Sequence, residues 1–294
     1  MELRKWIGIL GVFLILTSCN KDDVSDAYGQ FEADETTISS EAAGVLKQFD
    51  LKEGMTVEAG QQVGLVDTVQ LSLKKKEIMA SVRAIRTNIS KLNAQADVYR
   101  EQLETAKQDL RRFTSLKENN AATQQQIDQA QGQVNVLNKQ ITSVEVQKES
   151  VYAELETAQA RIAQVADQIQ RARIINPING TVLSVFVEPH ELVTSGKPLY
   201  RIANLGELNL KVYVSGAQLP QVAIGQKVEV KIDKDIKTNE SLPGTVSWIA
   251  SDAEFTPRMI QTKEERVTQV YAVKVRVPNS DGKLKIGMPG EVNF

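Results

Sequence analysis

The sequence predicts an α+β fold: a long antiparallel α-helical coiled-coil hairpin inserted in a split β-sandwich, with a β-rich domain after it. Three observations predict it. Residues 42–66 and 178–202 are two copies of one β-type pattern at a constant offset of 136. Between them, two runs of heptad-spaced apolar residues flank the polar stretch 116–126. From residue 207 onward, short alternating strand patterns follow one another between turn residues. The 294 residues suffice for two or three domains.

Composition narrows the function. Acidic and basic residues nearly balance, at 37 and 35, so charge gives no reason to expect a nucleic-acid partner. One Cys and one His exclude a multi-ligand Cys/His metal site and an internal disulfide. His190 lines up with Gly54 of the first copy, a turn position. No Asp, Ser or Cys constellation accompanies it, so no catalytic residue and no cofactor is expected.

The N-terminus carries Arg4 and Lys5 ahead of an apolar run, Ile7–Leu16. That run is too short to span a bilayer and reads as a secretory signal over residues 1–18. Leu16-Thr17-Ser18-Cys19 resembles the bacterial lipobox. The resemblance implies cleavage before Cys19 and acylation there, and two or more acyl chains anchor a protein stably. Residues 19–34 are polar and acidic and are expected to be a tether.

The repeat aligns Gly44 with Gly180, Leu51 with Val187, Val57 with Val193 and Gly60 with Gly196. Neither copy has enough strands for a core, whereas the two together make a small sandwich, expected over 35–69 and 174–206. The pattern resembles the lipoyl/biotinyl carrier fold. In carriers a tight hairpin between the halves presents the modified Lys. Here residues 70–173 fill that place, and Lys74, Lys75 and Lys76 open a long helix instead.

In that insertion the apolar positions from Val82 to Phe113 advance in strict steps of three and four, and those from Ile127 to Ala172 do the same, with Lys148 at one missing level. The period predicts a left-handed two-helix coil folded at the break. Phe113 then stands level with Ile127, Tyr99 with Ile141, Leu92 with Lys148, and Val82 with Ala158. Lys148 either fixes the register or snorkels its amine to water.

Taken in order, lipobox, half-motif, helical hairpin, second half-motif and β-domain resemble the periplasmic adaptors, or membrane fusion proteins, of the HlyD family. The resemblance implies a bridge between an inner-membrane transporter and an outer-membrane TolC-like channel, built as a ring of six. It also implies docking by the hairpin tip, where many members carry Arg, Leu and Ser. This sequence has Arg112, Leu116 and Thr123 at that spacing, Thr replacing Ser but keeping the hydroxyl. Thr123 is equally placed to cap the second helix.

The tail, 207–294, has strand signals at 207–214, 226–232, 244–250, 271–277 and 290–294, with a short helical piece near Gln218–Val222. It resembles the small antiparallel β-barrel of adaptors. Residues 255–267, with Arg258 and Arg266, resemble a segment of adaptors serving ABC-type transporters, which favours that class over proton-driven RND pumps. The membrane-proximal domain of many adaptors is expected to be absent here or reduced to the segment before residue 35. Lys21-Asp22-Asp23 resembles surface-export signals of some Bacteroidetes lipoproteins, whereas the adaptor architecture implies the periplasm and the inner membrane. A structural envelope coiled coil is the alternative function; a lipoyl or biotinyl carrier subunit is a third.

Overall fold

The structure is a computed structural model describing residues 25–235, 238–255 and 269–294. Cys19 and the lipobox, Lys21-Asp22-Asp23, and Arg258 and Arg266 lie outside the described residues.

The two repeat copies fold into two four-stranded sheets. Strands β2 (Glu35–Ser39), β3 (Gly44–Phe49), β4 (Thr56–Val57) and β5 (Gln62–Val66) come from the first copy. Strands β6 (Arg173–Ile175), β7 (Gly180–Val185), β8 (Leu192–Val193) and β9 (Pro198–Ala203) come from the second. The sheets run β2-β9-β7-β4 and β6-β5-β3-β8, so each copy lends strands to both. The offset of the sequence repeat is a structural pseudo-two-fold. Gly44 pairs with Val193 and Gly180 with Val57. Gly54 N–H donates to the Val182 carbonyl at 2.8 Å, and His190 N–H donates to the Leu46 carbonyl at 2.7 Å. His190 has φ 73° where Gly54 has φ 83°, so the histidine is a turn residue in the left-handed region. The shared core holds Leu46, Val57, Val66, Val182, Val193, Tyr200 and Ile202. A fully buried polar group, Asn176, sits in it; its side-chain amide donates to the Glu58 and Ile178 carbonyls while its oxygen accepts from Tyr200 Oη at 3.0 Å.

Between β5 and β6 stand α1 (Val69–Glu118) and α2 (Gln124–Arg171), of 50 and 48 residues. At ~1.5 Å per residue each is roughly 70–75 Å long. Their seam follows the expected register. Val82 packs in one cluster with Ala158, and Tyr99 packs with Ile141, Leu103 and Leu137. Lys148, level with Leu92, is 17% exposed and turns its ammonium to the Glu145 carboxylate at 2.9 Å. The hydrogen bond from Lys148 holds the Glu145 carboxyl below its ordinary value. Arg100 bridges from the other helix to Glu145 at 2.7 Å.

The third unit is a closed six-stranded barrel. Strand β1 (Ala27–Glu32) joins β10 (Glu207–Ser215), β11 (Lys227–Asp233), β12 (Asn239–Ile249), β14 (Gln269–Pro278) and β15 (Pro289–Asn293) in the order β10-β1-β15-β11-β12-β14, and β14 pairs back to β10. A two-residue strand, β13 (Glu254–Phe255), extends β14 at one rim. The helical piece between β10 and β11 is a single 3-10 turn, Leu219–Gln221.

Strand β1 corrects the expectation of a tether through residue 34. Residues 27–32 close the barrel, burying Ala27 and Phe31. Gly29 permits this, because a Cβ there would run into the Lys211 carbonyl.

Topology fixes the order of the units in space. Both links between sandwich and barrel, 33–34 and 204–206, join the start of β2 and the end of β9, which lie side by side. The far end of β2 leads directly to the start of β3, and there β3 pairs with the end of β5, where the hairpin leaves. Barrel and hairpin therefore attach at opposite ends of the sandwich.

Candidate functional site

Among the described residues no group of three or more His, Cys, Asp or Glu is placed to hold a metal ion, and Arg112, Leu116 and Thr123 lie at the hairpin tip, on either side of the turn between its helices. Helix α1 ends at Glu118 with Asn119 as its C-cap, and Asn120 takes the left-handed conformation with φ 54°. Ala121 N–H donates to the Leu116 carbonyl at 2.8 Å and Asn120 N–H to the Lys117 carbonyl at 3.0 Å. That pair of bonds is a Schellman motif, with Asn where Gly is commonest. It explains how the chain reverses without glycine or proline.

Helix α2 then starts with a reciprocal cap. Gln126 N–H donates to Thr123 Oγ1 at 3.3 Å, and Thr123 N–H donates to Gln126 Oε1 at 2.8 Å. The side-chain oxygen of Thr123 thus satisfies a free end of the helix, as the capping alternative required. The signature Thr-x-x-Gln was present in the sequence and identifies Gln126 as the second member.

Arg112 and Leu116 are one turn apart on one face of α1. Arg112 donates to Asp109 at 2.7 Å, and its guanidinium lies 5.6 Å from the centre of the Phe113 ring. One arm of the fork is held and the other donors remain toward solvent. Leu116 is 38% exposed. Beside them runs a groove of ≈370 Å³ with Phe113, Ala106 and Ala130 as its apolar floor and Asp109, Gln126, Gln129 and Gln133 at its edges. Asp109 both orients Arg112 and lines this groove, a role that spacing alone did not reveal.

The tip is therefore a preformed polar and apolar surface on a long rod, and a rod inserted in a split lipoyl-like sandwich beside a barrel defines a class. This is the fold of the membrane fusion, or periplasmic adaptor, proteins. It superimposes on the membrane fusion protein Spr0693 from Streptococcus pneumoniae R6 with TM-score 0.61, at 15% identity, covering 90% of this chain and 96% of that one. MacA from Actinobacillus actinomycetemcomitans gives TM-score 0.58 at 18% identity, covering 92% of this chain and 78% of that one. In sequence, the chain is 24% identical over 298 residues to a UPF0194 membrane protein of Yersinia enterocolitica, covering 93% of this chain and 90% of that protein. A UPF0194 membrane protein of Acidithiobacillus ferridurans is 30% identical over 141 residues, 48% of this chain and 41% of that protein. No family model matches the chain.

Proposed function

We propose that the protein is a periplasmic adaptor linking an inner-membrane transporter, of ABC class, to an outer-membrane TolC-like channel for export of drugs or other small molecules. The observation that carries this reading is the placement of a capped, partly apolar tip on a rod roughly 70 Å long, attached to the sandwich at the end opposite the barrel. Cys19 is the lipid-anchored residue in this reading, and six copies assemble side by side through sandwich and barrel. Arg112, Leu116 and Thr123 form the docking surface. Arg112 supplies donors to channel carbonyls or carboxylates, Leu116 an apolar knob, and Thr123 a hydroxyl already held in place by its cap. Several tips engaging at once give avidity, so each contact can be weak. The adaptor has no chemical step of its own; it links, seals and couples.

The test is export in cells carrying Arg112→Glu with Leu116→Asp. Both side chains are solvent-facing, so the helical circular dichroism stays unchanged. Export is expected to fall about tenfold or more, as loss of roughly 1.4 kcal/mol of docking free energy would give. Wild-type export by the folded double variant would remove these residues from docking.

A further inference from the structure

The rim of the barrel remote from the sandwich is where Ser25, Asp26, the β10–β11 loop and Asn293 come together. Ser25 Oγ donates to Glu291 at 2.7 Å, Gln218 Nε2 donates to the Asp26 carbonyl at 2.8 Å, and Phe294 N–H donates to the Asp26 carboxylate at 2.9 Å. The chain is thus pinned to this rim from Ser25 onward. Cys19 precedes Ser25 by six residues, which reach about 21 Å at full stretch. An acyl group on Cys19 would hold this rim, and not the hairpin, within that distance of the bilayer.

The rim has the surface such a position favours. Ile224, at the turn of the β10–β11 loop, is 68% exposed; Tyr28 on β1 is 51% and Trp248 on β12 is 43% exposed. A β-bulge between Val246 and Trp248 re-aims β12 there, with Ser247 Oγ donating to the Lys274 carbonyl. Tyr213 on β10 is two residues from Lys211 on the same outward face, and the Lys211 and Lys274 ammoniums lie 5.4 and 6.0 Å from the Tyr213 and Trp248 rings. Each ammonium is also 3.7 Å from a carboxylate, Lys211 from Glu254 and Lys274 from Glu32, and exposed aromatic rings with polar edges beside such cations are the composition of a membrane–water boundary.

We propose that this rim is a lipid-contacting face, with Ile224, Tyr28 and Trp248 seated in the headgroup region of the membrane that holds the anchor. The proposal rests on the reading of Cys19 as the acylated residue. It sets the orientation of the whole rod, because a seated rim points the hairpin away from the bilayer, whereas a tether alone leaves it free to tilt.

Trp248 is its own reporter, since the only other tryptophan, Trp6, lies within the leader of residues 1–18. The protein is extracted from membranes, its acyl mass checked, and the full mature chain placed on phosphatidylethanolamine vesicles with a minority of phosphatidylglycerol. Lipids brominated near the headgroup are expected to quench Trp248 emission, as for a ring at the interface, relative to the same vesicles without bromine. Tyr28→Ser with Ile224→Ser should relieve most of that quenching while the protein stays vesicle-bound through its acyl chains. An acylated, vesicle-bound protein with unquenched Trp248 overturns the lipid face and leaves the anchor standing. Shielding of Trp248 only when transporter is present in the vesicles overturns it in favour of a protein partner. Absence of an acyl mass removes the anchor and the proposal together.

Discussion

Asn120 bears the conformational burden of the tip. Its φ of 54° is one that Asn tolerates and β-branched residues do not. Asn120→Val should destabilise the hairpin by about 1–2 kcal/mol, while Asn120→Gly should be neutral or slightly stabilising, read as thermal unfolding at 222 nm. Thr123→Ala should cost ~1 kcal/mol through loss of the cap, and Thr123→Ser should restore it. Export assays on the Thr123→Asp variant separate the two roles of this residue, because Asp caps the helix but offers no hydroxyl donor. In the sandwich, burial pushes the Tyr200 phenol up to about 12. Against a value near 10 in the unfolded chain, the neutral phenol contributes stability in full below pH 10, and that contribution disappears as pH rises from 10 to 12. Alkaline unfolding should therefore steepen in this window by roughly 2–3 kcal/mol, and Tyr200→Phe should remove the effect while losing the hydrogen bond to Asn176. Of the tip residues, the capping role of Thr123 was legible because a hydroxyl residue ahead of a helical pattern is written in the sequence. Asn120 and Asp109 were not, since one acts through a backbone angle and the other through a neighbour on the next turn.

Among the elements, the hairpin was the most legible, because a heptad seam specifies both its partner face and its register. Lys148 is the exception within it. Its ammonium leaves the seam for Glu145, so Leu92 faces a level filled only by an aliphatic stem. Lys148→Leu should fill that level and raise the melting temperature of the hairpin; a lower value would show that the contact with Glu145 outweighs the added apolar packing. Strand β1 was the least legible element. Its acidic neighbourhood, with Asp22, Asp23, Asp26 and Glu32, reads as solvated chain, and only three inward positions, Ala27, Gly29 and Phe31, carry the strand pattern. Whether such a short pattern pairs depends on an open edge elsewhere, between β10 and β15, that no local signal announces. Gly29→Val should expel β1 from that edge and open the barrel, seen as loss of amide-exchange protection across β1 and its two neighbours.

At the scale of the molecule, the repeat offset does more than build a sandwich. It carries Glu35 onto Arg171 and Asp67 onto Ala203, so the junctions of the barrel and of the hairpin are symmetry-related. A duplicated half-motif thereby yields two equivalent mouths facing opposite ways, one holding the barrel and the other the rod. An adaptor needs this polarity, with one end toward the membrane and one toward a distant partner. The central claim is that the tip meets an outer-membrane channel, and crosslinking from Asn119→Cys in cells that make the complete export machine tests it most directly. The account predicts capture of an outer-membrane channel protein, lost in the Arg112→Glu, Leu116→Asp background. Capture of only other copies of this chain, or of no outer-membrane protein at all, would contradict it.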